Sequence, residues 1–214
     1  MELVRERRFF VDYRAGLARE RAVSSAVVDA ITVVLARYNT VVWENRFIVG
    51  GVVEQILGAS ARALGIDVLN AGKQNQGYDL ELPGEVPAGI SVKGVFASTG
   101  GKHNLVNLRS ADKHLSRDEC LQRWSRATLF VMTGVGIGYS DRSMNGDCVS
   151  PSADAVQISG KGLKEWWSEN PEWLINLPIP PKPEGPAIRV ASDAVGRDIL
   201  EGFPVLLPHW KAEI

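Results

Sequence analysis

Apolar side chains recur at helical spacing through the first third of the chain. Val4, Phe9, Val11, Tyr13 and Leu17 predict a helix over residues 3–19, with Arg5, Arg7, Arg8 and Arg14 on a basic side. Val27, Val28, Ile31, Val34 and Leu35 predict a second helix at about Ser24–Arg37. A third runs from about Glu44 to Leu64, with Phe47, Ile48, Val52, Val53, Ile56, Leu57, Ala63 and Leu64 on a broad apolar face. Gly50, Gly51 and Gly58 are costly inside a helix and suggest close approach of a neighbouring backbone. Gly65 is a natural C-terminal stop.

Beyond Gly65 the period shortens. Asp67–Asn70 reads as a short strand, Ala71–Gly77 as a polar loop, Tyr78–Leu82 as a strand and Ile90–Phe96 as another. The turn-rich link Pro83–Gly89 is too short for a crossover helix, so these two strands are expected to form an antiparallel hairpin. The segment Asn104–Leu108 follows a Gly-rich break at Thr99–Gly101, residues 117–125 look helical, and Ala127–Thr133 is the continuous apolar run of a buried central strand. Later come a strand at Val156–Ser159, a short helix at Gly162–Ser168, an extended stretch at Trp173–Leu177, a rigid proline-rich connector and a helix at Ser192–Leu200 capped by Ser192 or Asp193. This order of elements predicts an α/β fold with a mixed central β-sheet flanked by helices.

Composition narrows the picture. With 214 residues, 45% of them apolar, the chain is expected to form a single domain: N-terminal helices over 1–40, a core over 44–135 and a C-terminal extension over 150–214. A net charge of -1 gives no global cationic signal, so any contact with nucleic acid must come from a local basic stripe. Cys120 and Cys148 make no disulfide framework, and His103, His114 and His209 are scattered, which argues against a zinc cluster. MELVRERRFF lacks the apolar run of a signal peptide and no stretch is long enough to span a bilayer, so a soluble cytoplasmic protein is expected.

Chemistry concentrates in residues 77–94, GYDLELPGEVPAGISVKG. Alternation places Asp79 and Glu81 on one face with Tyr78, Leu80 and Leu82 opposite, and Ser91 and Lys93 on one face with Ile90 and Val92 opposite. Coincident polar faces gather two carboxylates, a hydroxyl and an ammonium at one end of the hairpin. Mg²⁺ takes hard oxygen ligands, one or two of them protein carboxylates, and a nearby lysine orients water and offsets charge in a phosphoryl transition state. Glu54 sits mid-helix at the edge of the apolar face, either at the solvent boundary or recruited to this site.

The helix with Glu54, the aspartate opening a short strand and the hairpin ending in Ser91-Val92-Lys93 resemble the PD-(D/E)xK nuclease superfamily, which includes many type II restriction endonucleases. The resemblance covers about residues 44–96. It implies a restriction endonuclease-like core, a Mg²⁺-dependent endonuclease of the type II kind acting on a short site in double-stranded DNA, and a homodimer. It also implies that Asp79 binds metal, Lys93 assists the water and Glu54 supports metal or water; the Ser91 hydroxyl is placed to hydrogen-bond a metal-bound water. Two positions depart from the pattern: Tyr78 replaces the proline before the aspartate, and Ser91 replaces the second acid. Glu81 is the nearest substitute metal ligand, with Asp112, Asp118 and Glu119 further on. Without a substitute the chain is a catalytically inactive nuclease-like module that binds nucleic acid or protein.

Lys102, His103, Asn104, Asn107, Arg109, Lys113 and His114 form a donor-rich stretch suited to phosphates and base edges, and are the first choice for DNA contact. Gln74, Asn75 and Gln76 read as an ordinary loop. TGVGIGY, residues 133–139, lacks the spacing of a dinucleotide loop and reads as a tight bend beside the sheet. Trp124, Trp166, Trp167, Trp173 and Trp210 are expected in core or interface. The basic side of the first helix is a second candidate for lying along DNA.

Overall fold

A computed structural model describes residues 3–38, 43–71, 78–181 and 192–210, and of 43–45 and 192–195 the backbone alone. The three expected helices form: α1 Val4–Arg19, α2 Arg21–Arg37, which starts before the expected Ser24, and α3 Trp43–Ala63. Their apolar stripes bury Phe10, Tyr13, Val27, Ile31, Val34, Val52, Ile56 and Leu57 against one another and the sheet below. Burying this much apolar surface outweighs the internal glycines of α3. The buried hydroxyls of Tyr13 and Ser60 share a 2.6 Å hydrogen bond, so neither is left unpaired.

The remaining elements are β1 Leu69–Asn70, β2 Leu80–Leu82, β3 Ala88–Val95, β4 Lys102–Asn107, α4 Arg117–Arg123, β5 Ala127–Met132, β6 Gly136–Ser140, α5 Arg142–Asn145, β7 Val149–Pro151, β8 Ala155–Ser159, α6 Gly160–Glu169, β9 Leu174–Ile175 and α7 Ser192–Leu200. Among the described residues they make a six-stranded sheet ordered β1-β2-β3-β5-β6-β9 and a three-stranded sheet ordered β4-β8-β7. The hairpin is antiparallel as expected, with Leu80 opposite Ile90 and Leu82 opposite Ala88. β3 then runs parallel to β5, with Lys93 opposite Phe130, so the sheet is mixed. No helix among the described residues is long and apolar enough to cross a membrane.

Alternation gives the large sheet two different faces. Leu80, Ile90, Val92, Leu129, Val131, Ile137 and Tyr139 join the core under α1, α2, α3 and α7. Val95, Phe130 and Met132 point the other way, into a second cluster with Cys120, Trp124, Val156, Ile158, Leu163 and Trp167. That cluster is roofed by α4, α6 and the small sheet. Trp124 and Trp167 are thus core, as expected of late tryptophans.

Three expectations change. TGVGIGY is no isolated bend: Thr133–Val135 turns the chain and Gly136–Ser140 forms β6, paired antiparallel with β5. Gly138 is required there by packing, since a Cβ would lie 2.3 Å from Cζ2 of Trp167, whose indole N–H donates to the Tyr139 carbonyl at 2.8 Å. The small sheet, which joins β7 and β8 to the sequence-distant β4, was not expected as a separate unit, because its strands are short and polar on one side. The basic side of α1 divides: Arg5 and Arg7 are spent on contacts within the molecule, while Arg8 and Arg14 stay exposed. Arg5 donates to the carbonyls of Leu82 (2.6 Å), Pro83 and Val86 (2.5 Å), pinning the hairpin turn. Arg7 pairs with buried Asp141 at 2.8 Å, and exposed Arg8 lies 3.7 Å from Asp12. The Gln74–Gln76 loop and most of the proline-rich connector lie outside the described residues.

Candidate active site

The hairpin departs from regular alternation at the residue that matters most. β2 begins at Leu80, not Tyr78, and Asp79 occupies a bend. The Asp79 N–H donates to the Ile90 carbonyl at 3.0 Å, the carbonyl of the residue paired with Leu80, which breaks the ladder there. The Asp79 carboxylate then accepts the Val92 N–H at 2.6 Å, replacing a missing backbone partner on β3. Tyr78 was expected on the apolar face. Its ring instead covers Gly89, on the face of Ser91 and Lys93, where a Cβ at Gly89 would come within 2.2 Å of the ring. Arg126 lies over the same ring at 6.0 Å.

Glu81, the expected second metal ligand, sits one pair along the hairpin between Gly89 and Leu69. Of Glu54, Asp79 and Glu81, Glu54 alone is among the residues lining the cleft between α3 and β3, and α3 brings it within electrostatic reach of Asp79. Burial chiefly, and then the negative charge of Asp79, push the Glu54 carboxyl up to about 8, against the opposing effect of the Lys93 ammonium. Burial also raises Asp79, opposed by the Val92 N–H and by the charges of Lys93 and Arg126. Glu54 and Asp79 therefore lie within electrostatic reach of each other and of Lys93. Ser91 is half-buried on the Lys93 side of β3, opposite Thr128. The other proposed acids are occupied or remote: Asp112 binds Arg123 at 2.7 Å, Glu119 accepts from Ser116 in a capping box, and Asp118 is exposed on α4.

A cleft of about 510 Å³ opens between the first half of α3 and the end of β3 with the loop after it. Arg46, Phe47, Val49, Gly50, Gly51 and Glu54 line one wall. Val92–Ser98 and Gly101–His103 line the other. Lys93 and Glu54 both line it. Of the residues expected to contact DNA, Lys102 and His103 line this cleft. Burial, opposed in part by contact with the Thr99 carbonyl, lowers the proton affinity of His103. Asn104 faces away along the small sheet and accepts from Gln157 at 2.9 Å. Asn107 and Arg109 are exposed further out. Asn107 is five residues along β4 from Lys102, roughly 17 Å away. Lys113 pairs with Asp154 at 2.6 Å and is thereby engaged.

Arg46, Phe47, Ser98 and Arg126 were not singled out from sequence. Arg126 carried a faint signal, a lone cation immediately before the buried run of β5. Among the described residues no three His, Cys, Asp or Glu side chains gather into a metal-binding group. The donor set is two carboxylates, Glu54 and Asp79. That fits magnesium, which takes one or two protein carboxylates and fills its other positions with water and substrate oxygen. Zinc sites draw mainly on histidine and cysteine, and this pair supplies neither. No family model matches the chain, and comparisons with curated proteins and with solved structures give no match.

Proposed function

We propose that the protein is a magnesium-dependent deoxyribonuclease that hydrolyses phosphodiester bonds in the cleft between α3 and β3, in the manner of a PD-(D/E)xK endonuclease. The observation that carries this reading is that Glu54 and Lys93 line one cleft, and Val92 in its wall donates its N–H to the Asp79 carboxylate at 2.6 Å. A mixed sheet flanked by helices is compatible with the restriction endonuclease-like core implied by the sequence. The double-stranded, site-specific and homodimeric character of a type II enzyme rests on the sequence resemblance alone.

The chemistry follows from the residues. Glu54 and Asp79 are the hard oxygen donors for the cation. Bound magnesium supplies charge neutralisation and Lewis-acid polarisation of a phosphate oxygen. One Asp79 oxygen is engaged by the Val92 N–H, so Asp79 would hold the cation through the carboxylate so oriented. Lys93 places positive charge where negative charge grows on the phosphate and donates to the attacking water, holding it in line. Glu54, whose carboxyl burial pushes up to about 8, would hold the cation in its ionised form. Lys102 lies in the same cleft to hold a flanking phosphate.

The test is cleavage of plasmid DNA in magnesium by wild type, Asp79→Ala and Lys93→Ala. The expected result is nicking or linearisation by wild type, reduced by about 10²-fold or more in either variant. Cleavage that survives both substitutions eliminates this assignment.

A further inference from the structure

The walls of the cleft differ in a way that metal chemistry does not require. Phe47, Gly50, Gly51 and Glu54 fall at i, i+3, i+4 and i+7 of α3, one face running from the mouth of the cleft to its acid. Phe47 is 64% exposed at the mouth, among the few large apolar side chains the fold leaves in water. Gly50 is interior to a helix, where alanine is favoured. The sequence suggested a neighbouring backbone pressed against it, but a Cβ at Gly50 meets nothing within 4 Å. Protein packing does not call for glycine here; the space beside it is the cleft itself. Lys93 and Lys102 line the opposite wall, and Arg46 precedes Phe47 on α3, so among the described lining residues cations outnumber the single carboxylate Glu54.

We infer that this groove takes one unpaired nucleic-acid strand, with a base stacked on Phe47, the sugar-phosphate backbone passing over Gly50, and flanking phosphates held by Arg46 and Lys102. An aromatic face at the mouth of a cation-lined groove matches the way single strands are held, since every base has a stacking face once it leaves the duplex. A paired duplex offers phosphates and base edges but no base face, and leaves Phe47 without a partner from the ligand. The inference rests on reading the cleft as a nucleic-acid site, and it makes the substrate a single strand or a locally opened duplex.

Fluorescence anisotropy of a short fluorescein-labelled single-stranded DNA of mixed sequence, at low salt and without divalent cation, tests it apart from catalysis. Wild type is expected to bind the single strand more tightly than the same sequence as a duplex. Phe47→Ala and Phe47→Leu are expected to weaken binding on the order of tenfold, and Phe47→Trp to preserve it. Gly50→Ala is expected to raise the melting temperature, through helix propensity, while weakening binding. Binding unchanged by Phe47→Ala, or a duplex bound as tightly as the single strand, overturns the inference. If these binding results hold but magnesium yields no cleavage, the catalytic reading fails while the strand-binding groove stands.

Discussion

At the scale of single residues, the protonation of Glu54 is the feature with the widest consequences. Its folded carboxyl titrates near 8, against about 4.5 in a solvated chain. Between those values the folded state binds more protons than the unfolded state. The stability this confers is full below 4.5 and is lost as pH rises through 8. Replacing Glu54 by glutamine removes the titration, so Glu54→Gln should gain in melting temperature over wild type as pH rises from 5 to about 8, then hold a constant lead. A difference that does not vary with pH would show that Glu54 ionises normally. Asp141 behaves oppositely. Burial raises it, but the guanidinium of Arg7, the Ser143 hydroxyl and the Met144 N–H more than compensate, holding it below the usual carboxylate range. Its contribution is present above the ordinary aspartate value and is lost as pH falls through its depressed one. Asp141→Ala strands Arg7 and should cost roughly 3 kcal/mol by urea denaturation at neutral pH.

Among elements, most of what the sequence revealed came from periodicity, and most of what it hid came from local breaks in periodicity. The long helices and the buried run of β5 were legible because many residues repeat one signal. The antiparallel hairpin was legible from the short link between Leu82 and Ala88. The bend at Asp79 was not, since alternation assumes a regular ladder and only the Asp79 N–H bond to Ile90 shows the slip. The same bend lets the Asp79 carboxylate accept the Val92 N–H. β6 was hidden because its glycines read as a turn, whereas Gly138 serves to admit Trp167. Gly138→Ala should therefore cost about 1–3 kcal/mol and disturb the near-ultraviolet signal of the tryptophans, while an exposed Gly100→Ala should do neither. At α4 the Ser116–Glu119 capping box fixes the turn before the helix, and Ser116→Ala should lower stability by about 1 kcal/mol in the same denaturation assay.

For the molecule as a whole, the two faces of one sheet hold different environments, and the site lies where β2 leaves that sheet. The apolar face anchors α3 and so carries Glu54 inward. The other face carries Lys93 beside the tryptophan-rich cluster. Arg5 ties α1 to the hairpin turn, which links the N-terminal helix to the geometry of the bend. The donor stretch after the hairpin divides between two surfaces: Lys102 and His103 enter the cleft, while Asn104 lies on the outside of the small sheet. No distribution of charge over the whole chain announces this, because the cations gather only once α3 and β3 are brought together. The account depends on Glu54 and Asp79 forming a cation site. Isothermal titration of calcium into the protein above pH 8 measures that directly. Wild type and Glu81→Gln should bind alike, and Asp79→Asn and Glu54→Gln should each bind on the order of tenfold more weakly or worse. Equal binding by wild type and Asp79→Asn, or loss of binding in Glu81→Gln alone, would contradict it.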